Sequence, residues 1–123
     1  MTKTEMKNRT KEYAKRVVRV CTALPENWVA QTLGKQFLRC GTSVGSNYRA
    51  VCRAKSTADF VNKLKIVEEE CDESLFWMEL LVEDGLISAR RWQNLIKEGN
   101  ELLAIIVASL KTARADSRRT SLA

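Results

Sequence analysis

The chain has 123 residues, 45% of them apolar, with five glycines, one proline and no histidine. This is material for one core in one domain, and so little proline and glycine excludes a loop-rich or all-β fold. No run approaches the roughly 20 apolar residues of a membrane span, and the polar N-terminus is no secretory signal, so a cytoplasmic protein is expected, with a net charge of +6.

A first helix is expected over residues 4–21, where Met6, Tyr13, Val17, Val20 and Leu24 form an apolar stripe widened by Ala14, Val18 and Cys21. Pro25 closes it and suits the first turn of the next helix, where its missing N–H has no intrahelical partner. That second helix is expected over residues 25–54. Its seam follows Leu33, Phe37, Cys40, Val44, Asn47, Val51 and Ala54 at alternating spacings of four and three. Gly34, Gly41 and Gly45 form a second stripe beside the seam. Glycine inside a helix costs on the order of 1 kcal/mol against alanine, so this stripe calls for close approach of another helix. Asn47 is a polar residue at a seam position, the kind that fixes register.

Ser56-x-x-Asp59 reads as the N-cap of a third helix, with an acid complementing its N-terminus. Phe60, Leu64, Val67, Cys71, Leu75, Met78 and Leu81 supply its inner face, and Asp84-Gly85 ends it. Ser88 caps a fourth helix with Trp92, Leu95, Ile96, Leu102, Leu103, Ile106 and Leu110 inward. From about Ala113 the apolar pattern stops, and a disordered basic tail is expected over residues 114–123 beyond a bundle over 1–113. Four helices with short connections predict an all-α, antiparallel up-down-up-down four-helix bundle.

Charge is unevenly distributed. Residues 1–24 carry +5, residues 25–55 carry +4, residues 56–87 carry −7 and residues 88–123 carry +4. One acidic helix among basic ones implies internal pairing with a basic surface left over. Across the turn at Lys55-Ser56, antiparallel packing pairs positions summing to about 111. Arg39 then lies level with position 72, and a bridge from Arg39 to Glu70, Glu73 or both is expected.

Cys21, Cys40, Cys52 and Cys71 all fall on apolar helix positions, without a C-x-x-C pair. They read as free buried thiols, so neither a metal nor a cofactor is expected. Glu70 and Glu73 have no histidine or nucleophile elbow to work with, and an enzyme is not expected.

Lys3, Lys7, Lys11 and Lys15 recur every four residues along one face of the first helix, beside Arg9, Arg16 and Arg19. With Arg49, Arg53 and Lys55 on the second helix and Arg114, Arg118 and Arg119 in the tail, they form an electrostatic footprint for phosphate backbones. Ile66, Phe76, Trp77 and Leu80 exceed what one buried face of the third helix requires, which points to self-association.

The blocks Arg39-Cys40-Gly41-Thr42-Ser43-Val44-Gly45-Ser46-Asn47, Ser56-x-x-Asp59-Phe60-x-x-Lys63 and Glu70-x-x-Glu73-Ser74-x-Phe76-Trp77-Met78 occur in this order. In them the chain resembles the bacterial four-helix bundle proteins first noticed as products of intervening sequences in large-subunit ribosomal RNA. It departs from the family pattern at Ala50, where a glutamate is usual, and at Glu69, where a lysine is frequent. The resemblance implies a homopentamer. It also implies kinship with accessory proteins of diversity-generating retroelements, in which a basic pentamer binds a reverse transcriptase and template RNA. The function expected is therefore a non-catalytic, homo-oligomeric scaffold that binds RNA or DNA backbone and a nucleoprotein partner such as a reverse transcriptase. The alternative is an adaptor whose basic surface meets an acidic protein.

Overall fold

The structure is a computed structural model that describes the backbone of residues 1–122 and side chains through residue 118. It holds four helices, α1 (Lys3–Thr22), α2 (Trp28–Val51), α3 (Thr57–Glu83) and α4 (Ala89–Leu122). Each packs on its sequence neighbour, and α4 returns more lightly to α1. This closes the expected four-helix bundle. No helix among the described residues is long and apolar enough to cross a membrane.

Local chemistry sets the helix ends. Thr2 and Glu5 form a reciprocal capping box, the Thr2 hydroxyl accepting from the Glu5 N–H at 3.1 Å. The second helix starts at Trp28, three residues after Pro25, because the Asn27 side chain caps it by accepting from the Ala30 N–H at 2.9 Å. Pro25 stays in the connecting turn, where its carbonyl accepts from the Asn27 N–H. At the other end α2 stops at Val51, short of the expected Ala54. Ser56 caps α3 through the Asp59 N–H at 3.0 Å, and Gly85 takes the left-handed conformation, φ 72°, in the turn that follows. Ser88 accepts from the Arg91 N–H as α4 begins.

Where a disordered tail was expected over residues 114–123, α4 runs on through Leu122, and Ala123 lies outside the described residues. The apolar period does stop at Leu110, but no glycine or proline follows to break the helix, and Ala113, Arg114 and Ala115 favour it.

The core runs along the bundle through Met6, Tyr13 and Val17 of α1, Phe37, Cys40 and Val44 of α2, Leu64, Val67 and Met78 of α3 and Leu95, Leu102 and Ile106 of α4. Val18, expected at the edge of the α1 stripe, is exposed. The glycine stripe of α2 faces α1. A Cβ on Gly41 would stand 2.7 Å from both methyl carbons of Val17, and one on Gly45 would stand 3.0 Å from the Thr10 carbonyl oxygen. The two backbones can approach this closely only without those methyls.

Candidate nucleic-acid interface

The close α1/α2 packing leaves a shallow polar groove on the outside of the helix pair. Lys7, Asn8, Lys11 and Ala14 of α1 face Thr42, Gly45, Ser46 and Arg49 of α2 around about 230 Å³ of space. Lys7 and Lys11 are one turn apart on α1, and Arg49 reaches in from the last turn of α2. All three side chains are exposed, none makes an ion pair among the described residues, and no acid lines the groove. Three cations thus stand over a floor of small side chains with no acid beside them.

The end of the bundle beyond Arg49 carries more positive charge. Lys3 and Lys55 line a hollow there with Ser56, Thr57, Phe60, Ala113 and Asp116, and the Lys3 ammonium sits 5.5 Å from the centre of the Phe60 ring. Arg53, Arg114 and Arg118 are exposed. The side chain of Arg119 lies outside the described residues.

Other members of the expected footprint are placed elsewhere. Arg9 is half-buried and turned toward α4, where it forms a two-pronged bond to Glu98 and reaches Glu101 at 3.2 Å. It ties α1 to α4, and its charge is already matched. Lys15 lies 3.5 Å from Glu12 on its own helix. Arg16 is half-buried, and Arg19 stands in the last turn of α1, at the end away from the basic hollow.

The α2/α3 contact shows the expected ion cluster. Arg39 reaches Glu70 at 3.4 Å and Glu73 at 3.1 Å, with about half of its own side chain exposed (51%). The same guanidinium donates to the Cys40 sulfur at 3.2 Å. Ligand-type atoms of Cys40, Glu70 and Glu73 thus come within 4.8 Å of one another. Burial chiefly pushes the Cys40 thiol up to about 12, and hydrogen bonds from Cys40 and Arg39 hold the Glu73 carboxyl below its usual range. Both carboxylates of this cluster are engaged by Arg39, and burial disfavours the thiolate of Cys40. Asn47, expected to fix register across the seam, instead donates to the Ser43 carbonyl of its own helix at 2.9 Å.

A polar pair inside the bundle had no sequence signal. The Tyr13 hydroxyl meets the Ser74 hydroxyl at 2.9 Å, and Ser74 donates to the Cys71 carbonyl at 2.7 Å. Tyr13 and Ser74 are both fully buried. Gly99 makes room for the ring, since a Cβ there would stand 3.0 Å from the Tyr13 hydroxyl oxygen.

The chain matches the family model described as 23S rRNA-intervening sequence protein over residues 2–108. No curated protein matches it. Among solved structures, it is similar to a protein of unknown function from the S23 ribosomal protein family of Bacteroides thetaiotaomicron. The two share 32% identity over 86% of this chain and 98% of the other, with a TM-score of 0.80. With the four-helix architecture and the match across most of its length, the chain belongs to the 23S rRNA-intervening sequence protein family.

Proposed function

We propose that this protein is a non-catalytic, self-associating scaffold that binds nucleic acid, RNA foremost, through its phosphates. The convergence of Lys7, Lys11 and Arg49 in a groove with no lining acid carries the reading. Lys3, Arg53, Lys55, Arg114 and Arg118 extend the same field at the adjoining end of the bundle. Contacts of this kind fix position without reading bases, so binding is weakly sequence-selective and steeply salt-dependent.

Self-association is supported by apolar side chains left in solvent, Trp28 at 78% exposure, Phe76 at 51% and Ile66 at 45%. Copies of the groove in an oligomer, five by family resemblance, would sum into a larger positive field. The likeness to retroelement accessory proteins extends the proposal to a reverse transcriptase as the nucleoprotein partner.

The test is titration of the purified oligomer with a structured RNA at low and near-physiological salt. Binding that falls steeply with salt, and that weakens when Lys7, Lys11 and Arg49 are together changed to glutamine, supports the reading. No binding at low salt would transfer the basic surface to an acidic protein partner.

A further inference from the structure

The face between α3 and α4 has the opposite chemistry from the α1/α2 groove. Leu75, Met78, Val82 and Ile96 floor an apolar hollow of about 140 Å³, with Glu79, Glu83 and Asn100 at its mouth. An apolar cavity of about 150 Å³ can take a benzene molecule, so this one has room for a single large side chain. Leu103 and the exposed Val107 continue the apolar line along α4, seven and eleven residues beyond Ile96 and on the same helix face.

Glu79 and Glu83 are four apart on one helix, a like-charge spacing that destabilises it slightly. Both are exposed, and neither has an ion-pair partner among the described residues. Their carboxylates repel phosphates, so this face is closed to nucleic acid. An apolar slot with two unmatched acids at its lip instead fits an apolar anchor flanked by cations.

We propose that the α3/α4 groove docks a basic amphipathic helix of a partner protein. An apolar side chain of that helix enters the hollow, while lysines or arginines about a turn away meet Glu79 and Glu83. The unmatched acids at the lip call for a cationic occupant, a helix of another protein, and a second copy of this chain is the outcome that the oligomeric mass below tests. Within an assembly, nucleic acid on the α1/α2 groove and a basic protein on the α3/α4 groove would occupy separate faces of one bundle. The docking claim stands apart from the phosphate-binding one.

The probe is a fluorescein-labelled synthetic helix with leucines at i, i+3, i+4 and i+7 and lysines flanking them. A second peptide carries glutamates in place of the lysines. Anisotropy is read against the full chain, and RNA binding is measured on the same preparations. Saturable binding of the lysine peptide is expected, with none of the glutamate peptide. Glu79→Gln with Glu83→Gln should weaken it about fivefold, and Asn100→Trp, at an exposed rim position, should block the hollow and abolish it. RNA binding should be retained in both variants. Equal binding of the two peptides, or unchanged affinity in either variant, would overturn the proposal. A smaller oligomeric mass by light scattering in the glutamine variant would also overturn it, by assigning the groove to a second copy of this chain.

Discussion

The Tyr13 hydroxyl donates across the bundle to Ser74, whose own proton goes to the Cys71 carbonyl. The two hydroxyls are therefore unequal partners. In Tyr13→Phe, Ser74 keeps its bond to Cys71 and loses only an incoming donor, so a cost of about 1 kcal/mol is expected. In Ser74→Ala, the phenol is left buried with no acceptor, and a larger cost within about 1–3 kcal/mol is expected. Urea denaturation of the two variants checks the order, and a Tyr13→Phe change costlier than Ser74→Ala would refute this direction of bonding.

Stability should fall in alkali. Burial pushes the Cys71 thiol up to about 12 from an ordinary value of about 9, and it acts in the same direction on Tyr13. Between those pH values the unfolded chain has released the thiol proton while the folded chain retains it. The native state then binds more protons than the unfolded one, and stability declines as pH rises. The contribution is whole below about pH 9 and is lost on approach to about 12. Chemical denaturation from pH 8 to 11 under reducing conditions should show this decline, with a shallower slope in Cys71→Ala.

Glycines 41 and 45 should resist alanine for different reasons. Alanine favours a helix over glycine by on the order of 1 kcal/mol, yet a methyl on Gly41 meets the branched end of Val17 at 2.7 Å. Overpacking of this kind costs about 1–3 kcal/mol, so Gly41→Ala should be net destabilising. In a Val17→Ala background the methyl has room and the penalty should shrink, a coupling that a double-mutant cycle measures. Gly45→Ala meets the backbone oxygen of Thr10 at 3.0 Å, and trimming a side chain on α1 should not rescue it.

Arg9, expected in the phosphate-binding footprint, and Arg39, expected in an ion cluster, should separate in experiment. Arg9→Ala breaks a fork to Glu98, whose side chain is only 19% exposed, and should cost about 1–2 kcal/mol with little change in nucleic-acid affinity. Arg39→Ala breaks bonds in solvent and should lower the melting temperature less than Arg9→Ala does, by an amount that shrinks with added salt. Thermal melting at two salt concentrations, beside an RNA titration of Arg9→Ala, checks both.

Sequence periodicity determined the four helices, and short-range chemistry determined the ends at Ser56, Gly85 and Ser88, because capping and turn geometry involve residues within a few positions of each other. Antiparallel counting also reached the Arg39 cluster with Glu70 and Glu73, since one turn fixes the register of the two helices it joins. Even the glycine stripe announced a close neighbour, though not that the neighbour was α1. Only the tertiary structure decided what depends on rotation and on helices far apart in sequence. Arg9 lies 89 residues from Glu98 and Tyr13 lies 61 from Ser74, and no local spacing encodes either meeting. The same rotation separates Lys7, Lys11 and Arg49, gathered over one groove, from Arg9, Arg16 and Arg19. Charge counted along a chain is a sum, whereas a binding surface depends on which of those charges share a face and which are already matched.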